Sequence, residues 1–125
     1  MSETTPLDAL ETRDPAEREA ALLAALPAQI AHAQARTAAF GEILASIDAT
    51  GITSRAALAG LPVTRKGELL ERQKARRAQD AMGGFAAIGW RGQLARRGAR
   101  RVFQSPGPIY EPEGSGVDYW RLARA

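Results

Sequence analysis

The chain has no cysteine, so a disulfide framework, a thiolate nucleophile and a cysteine-ligated metal are all excluded. It has a single histidine, His32, which leaves no histidine cluster for a metal or a proton relay. Aromatic residues make up only 6% of the 125 residues. No run of about 18 uncharged apolar residues exists, so no membrane-spanning helix is expected. The first ten residues carry acids where a secretory signal has its basic and apolar regions, and they hold no arginine of the kind a mitochondrial presequence needs. A cytoplasmic location is therefore expected.

The apolar share of 45% is softer than it looks, because much of it is alanine. Alanine favours helix but removes little surface from water, so at about 25 cal/mol per Å² the core is thin for the length. One small domain, or part of a larger one, fits this composition. Neither an internal repeat nor a low-complexity tract accompanies the alanine enrichment.

The formal charge of +3 is unevenly spread. Residues 1–64 are net acidic, residues 65–101 strongly basic, and the remainder close to neutral. A basic block attracts polyanions, and it is also how a solvated arginine-rich helix reads.

Local signals order the chain. Asp14, Pro15 and Glu17 form a helix start, with an Asx cap, proline at the first position and a carboxylate at the third. Leu22, Leu23, Leu26 and Ile30 form one apolar stripe as far as about Thr37, and Pro27 predicts either a kink or two abutting helices. A third short helix carries Phe40, Ile43, Leu44 and Ile47 and stops near Asp48 to Gly51. Ser54 caps a further turn closed by Pro62, and Thr64 caps a helix from about Arg65 to Arg77 with a narrow apolar stripe and a mostly solvated surface. From Asp80 the texture turns to glycine and arginine. The strand candidates there are Ala86 to Trp90 and Arg101 to Gln104, the latter running into a loop at Ser105-Pro106-Gly107-Pro108. Asp118 can cap a last helix, Tyr119 to Ala125. The chain divides on this reading into a helical segment, residues 1–80, and a glycine- and arginine-rich segment, residues 81–125, with strand, loop and helix.

The stretch Leu58-Ala-Gly-Leu61-Pro62-Val63-Thr64-Arg65-Lys66-Gly67-Glu68-Leu69-Leu70 resembles the LPxTxKxDL segment near the start of phenylacetate-CoA ligases, a branch of the adenylate-forming (AMP-dependent synthetase) enzymes. The run Leu10 to Glu19, the helix through Ile30 and Ala33, and Phe40 with Ile43-Leu44 are similar to that family's N-terminal helices. The resemblance covers about residues 7–125. It implies a mainly helical α+β fold: an N-terminal helical portion plus the first strands of a large α/β domain, incomplete here. It also implies a parent enzyme that joins a carboxylic acid, such as an aryl acid like phenylacetate, to coenzyme A through an acyl-adenylate. ATP and CoA would be its cosubstrates, Mg2+ would be expected with them, and pyrophosphate and AMP would be released. The isolated segment is expected to be inactive, with the remainder of the ligase chain as its partner.

That family's Ser/Thr/Gly-rich phosphate loop, of the form SSGTTGKPT, corresponds to Phe103 to Glu113. Phosphate recognition there relies on glycine-freed backbone N–H groups, hydroxyls and a lysine. Ser105, Gly107 and Pro112 match the pattern, and Ser105 and Gly107 are the cofactor-binding candidates the resemblance supplies. Pro106 and Pro108 remove donors, Ile109 lacks a hydroxyl, Tyr110 replaces a glycine and Glu111 replaces the lysine, so a structural or substrate-facing role is favoured over direct ATP contact.

No catalytic residue is expected. His32 lies in an alanine-rich helix without an acid or nucleophile at a useful spacing, and Glu17, Glu19, Glu68 and Glu71 read as caps and helix-face partners of arginine. The competing reading is a small non-enzymatic module that binds nucleic acid or another polyanion through Arg96, Arg97, Arg100 and Arg101, with Trp90 and Phe103 for stacking. No recognition helix, zinc knuckle or strand motif supports it. The leucine stripe is expected to pack on a larger sheet domain, and left exposed it would favour self-association into a homo-oligomer.

Overall fold

A computed structural model describes residues 6, 8–90 and 98–116. Helix α1 spans Pro15–Arg36 and α2 Ala38–Ile43; a 3-10 turn at Ala49–Gly51 precedes α3, Arg55–Ala59, and α4, Lys66–Arg76. Strands β1, Arg101–Ser105, and β2, Ile109–Glu113, form an antiparallel hairpin. Among the described residues the chain is thus a small, mainly helical α+β protein, as the sequence predicts at that level. The helix expected at Tyr119 to Ala125 lies outside the described residues.

Helix α1 begins as its sequence dictates. The Asp14 carboxylate accepts from the N–H of Ala16 at 2.8 Å and of Glu17 at 3.3 Å, satisfying donors that no helical carbonyl reaches. Pro27 neither splits the helix nor ends it, because α1 is continuous through it. Proline removes one hydrogen bond from a helix of 22 residues. The burial of Ile30 and the packing of Leu26 on the core hold the turns on either side of that gap. At the far end Thr37 joins two helices: its hydroxyl donates to the Ala33 carbonyl at 2.9 Å and accepts from the Phe40 N–H at 3.1 Å.

Helix α2 is shorter than the apolar spacing through Ile47 suggests. It ends at Ile43, and the chain turns before Asp48 caps the 3-10 turn through Thr50. The turn is stabilised by Gln34 on α1, whose amide donates to the carbonyls of Leu44 at 2.8 Å and Ile47 at 2.9 Å. Those carbonyls would otherwise continue a helix. Ile30, Leu44, Ala49 and Ile52 form the buried core, with Phe40, Ile43, Ile47, Ala57 and Leu61 packed around it. Ser54 caps α3 as expected, through the Ala57 N–H at 3.1 Å.

Two further expectations are corrected. Helix α4 is capped at Arg65, not Thr64: the Glu68 carboxylate reaches back to the Arg65 N–H at 3.3 Å, the return half of a capping box. Its surface is mostly exposed, as expected, with Gln73 its one buried residue at 3% exposed. The segment Ala86 to Trp90 is not a strand but an irregular run without ladder partners among the described residues. The loop foreseen from Ser105 is a three-residue turn that leads at once into β2, with Ser105 paired to Ile109 and Arg101 to Glu113.

Candidate functional site

The hairpin is fixed to the helices by polar side chains. Gln73 of α4 faces the outer edge of β2, where its amide donates to the Tyr110 carbonyl at 3.0 Å and accepts from the Tyr110 N–H at 2.9 Å. A single side chain thereby stands in for a neighbouring strand.

The connection after α4 is organised by Asp80. One carboxylate oxygen accepts from the Met82 N–H at 2.9 Å and the Trp90 indole at 3.1 Å, and the other from the Gly84 N–H at 2.8 Å. The loop so gathered needs glycine. Gly83 has φ +64 and Gly84 φ +85, and a Cβ on Gly83 would stand 3.0 to 3.2 Å from Gln73. Arg72 closes the same junction. Its Nε donates to the Gly83 carbonyl at 3.0 Å, its guanidinium lies 5.8 Å from the centroid of Phe85, and it pairs with Glu42 of α2. Phe85 in turn meets Phe40 edge to face at 5.3 Å. The hydrogen bond from Arg72, with lesser help from Arg76, holds the Glu42 carboxyl below the ordinary value of 4.5.

The candidate residues Ser105 and Gly107 stand at the hairpin turn. Ser105 ends β1, and Gly107 occupies the turn with φ +117, a conformation open to glycine. The ammonium end of Lys66, at the first position of α4, reaches this turn: a Cβ on Gly107 would lie 3.8 Å from Lys66 Cε and 4.0 Å from Nζ. Sequence reasoning placed no lysine here, because Glu111 occupies the lysine position of the loop pattern and Lys66 lies about forty residues away in sequence. Beyond the turn comes a strand, where the loop pattern leads toward a helix. The donors the turn can offer are the Gly107 N–H and the nearby Lys66, because the Ser105 hydroxyl donates to the Ile109 carbonyl at 3.5 Å and Pro106 and Pro108 have no N–H. That set falls short of the several backbone donors a triphosphate requires, so no step of ATP chemistry is assigned to these residues.

The remaining candidates separate. His32 is exposed on α1. Glu19 pairs with Arg55 across α1 and α3, and that hydrogen bond lowers the carboxyl and raises the guanidinium. Glu71 pairs with Lys74 along α4. In the basic block, Arg72 and Arg76 engage Glu42 and Arg101 engages Glu113, so these charges face partners within the chain. Arg96 and Arg97 lie outside the described residues. Among the described residues no three acidic or histidine side chains gather into a metal site, and no helix is long and apolar enough to cross a membrane.

No family model, no curated protein and no solved structure matches this chain.

The residues that join the helices to the hairpin, Gln73, Asp80 and Arg72, were not singled out from the sequence. Asp80 had a signal, since an Asp three residues ahead of the Gly83-Gly84 pair is placed to form an Asx turn. Gln73 had none, being one polar residue among many on α4.

Proposed function

We propose that this chain is the N-terminal segment of an ATP-dependent acid-CoA ligase that resembles phenylacetate-CoA ligases, and that its own role is structural. Adenylate formation and thioester formation then belong to groups supplied by the rest of that polypeptide, with a small carboxylic acid, ATP, Mg2+ and CoA bound there. The observation that carries this reading is the meeting of two stretches that bear the resemblance. The Leu61 to Leu70 segment opens α4, and the turn at Ser105 and Gly107 is held against that helix by the Gln73 amide, with Lys66 at the turn itself. A segment of this kind presents a phosphate-loop position without the donors to use it alone. The leucine groove along α1 and α3 agrees with a packing role. It is an open hollow of about 460 Å³ lined by Leu22, Leu23, Leu26 and Leu58, and Leu22 is 60% exposed.

The test compares two polypeptides. A complete protein bearing residues 1–125 at its N-terminus should release pyrophosphate from ATP when given an aryl acid and should form the acyl-CoA when CoA is added. The 125-residue chain alone should do neither. An antibody against residues 1–40 should mark a native band several times heavier than 13.4 kDa. A native band at 13.4 kDa alone, or acid-dependent pyrophosphate release by the short chain, overturns the reading.

A further inference from the structure

The two edges of the hairpin differ. On β2 the outward groups of Tyr110 are bonded to Gln73, and Pro112 has no N–H to offer, so that edge admits no further strand. Because Tyr110 turns its main-chain groups away from β1, the pairs Arg101 with Glu113, Phe103 with Glu111 and Ser105 with Ile109 are the hydrogen-bonded ones. Val102 and Gln104 therefore direct their N–H and C=O groups to the outer edge of β1. Among the described residues nothing bonds to them there. The strand is exposed along almost its whole length, with Val102 46% and Phe103 42% accessible. Arg101, the charge that could guard this edge, is drawn across the hairpin to the Glu113 carboxylate. An accessible apolar edge strand is a template for strand addition.

We propose that β1 pairs with β1 of a second copy of this chain, antiparallel and about a two-fold axis at Phe103. In that register the outward N–H and C=O of Val102 meet those of the second copy's Gln104, and the reverse pair follows by symmetry. The two Phe103 residues face each other as a close, non-hydrogen-bonded pair with their rings on one face. Arg101 falls opposite Ser105, so the arginines of the two copies sit toward opposite ends of the pairing. Moving the axis to Gln104 would set Val102 against Pro106, which has no N–H, and moving it to Val102 would bring the arginines of the two copies closer together. The blocked outer edge of β2 makes the assembly a closed pair of four strands and not a growing sheet.

The absence of cysteine gives a direct test on the 125-residue chain. Phe103→Cys creates the sole thiol, and mild oxidation should link two chains through it rapidly, since close antiparallel pairs bring Cβ atoms within about 4.5–5.5 Å. Val102→Cys and Gln104→Cys, each offset from its own symmetry mate, should link far more slowly. Unmodified protein should sediment at twice 13.4 kDa at high micromolar concentration. Val102→Pro removes an outward donor and no hairpin bond, and should weaken association roughly tenfold or more at unchanged helix content, because the loss occurs twice. If that variant disturbs the hairpin, Phe103→Lys provides a second route, with association weakened at low salt and partly restored at high salt. A monomer throughout the concentration range overturns the proposal. So does a dimer that survives both variants, or linkage equally fast at all three positions, since either places the contact elsewhere. These outcomes are independent of whether the chain belongs to a ligase.

Discussion

The helical end and the hairpin end of this molecule are held by different forces. Around Ile30, Leu44 and Ile52 the chain buries aliphatic side chains against one another, and the polar contribution is the stapling of two carbonyls by Gln34. At the hairpin the buried apolar residues are few, chiefly Met82 and Ile109, and the structure depends on Gln73, Asp80, Arg72 and Glu113 each bonding to backbone or to an opposite charge. A sequence rich in alanine lacks apolar area for two good cores. Directional hydrogen bonds position the second region where area cannot, and they make it sensitive to single polar substitutions.

The largest effect should come from the aliphatic end. Leu44→Ala should cost about 3 kcal/mol by transfer and cavity terms, read by thermal unfolding. If hairpin signals melt together with helical ones, the two ends form one cooperative unit; separate melting would sharpen the contrast into two units. Gln73→Leu keeps the volume but strands the Tyr110 main-chain groups, and should cost about 2 kcal/mol with loss of amide protection at Tyr110. An unchanged stability would show that water or repacking serves the β2 edge equally well. Gly83→Ala should cost about 1–2 kcal/mol, from the left-handed backbone and the close approach to Gln73. The smallest effect is at Glu42. Its carboxyl is lowered in the folded chain, so the ion pair contributes fully above the unfolded value of 4.5 and is lost as pH falls through the folded one. Glu42→Gln should therefore lower the melting temperature slightly at pH 7 and flatten its decline below pH 4.5, whereas an identical acid profile would remove the pair from the stability of the junction.

Parts of the fold were legible because their causes are local. Asp14 and Ser54 cap the helices they precede, since a side-chain oxygen two or three residues from an orphan N–H needs no tertiary partner. β1 was legible from its own residues, an Arg-Val-Phe-Gln run leading into a Ser-Pro-Gly-Pro turn. β2 was not, because Ile-Tyr-Glu-Pro-Glu holds a proline and two acids and reads as loop. It is a strand because Pro112 falls where an N–H would point outward and Gln73 supplies the missing neighbour. The segment Ala86 to Trp90 failed in the opposite sense, as its composition suits a strand but no described strand adjoins it. At the candidate site, Ser105 and Gly107 could be named from the pattern, while the approach of Lys66 depends on how α4 packs on the hairpin.

By itself the sequence determined where α1 and α3 begin, that the core would be thin, and that cysteine and metal-thiolate chemistry are excluded, because caps, composition and residue chemistry act within a few residues. The tertiary structure alone decided that α1 runs through Pro27, that β2 exists, and that one edge of the hairpin is closed and the other open among the described residues. Those outcomes turn on whether a polar backbone group finds a partner from a distant segment, and no local pattern specifies that meeting.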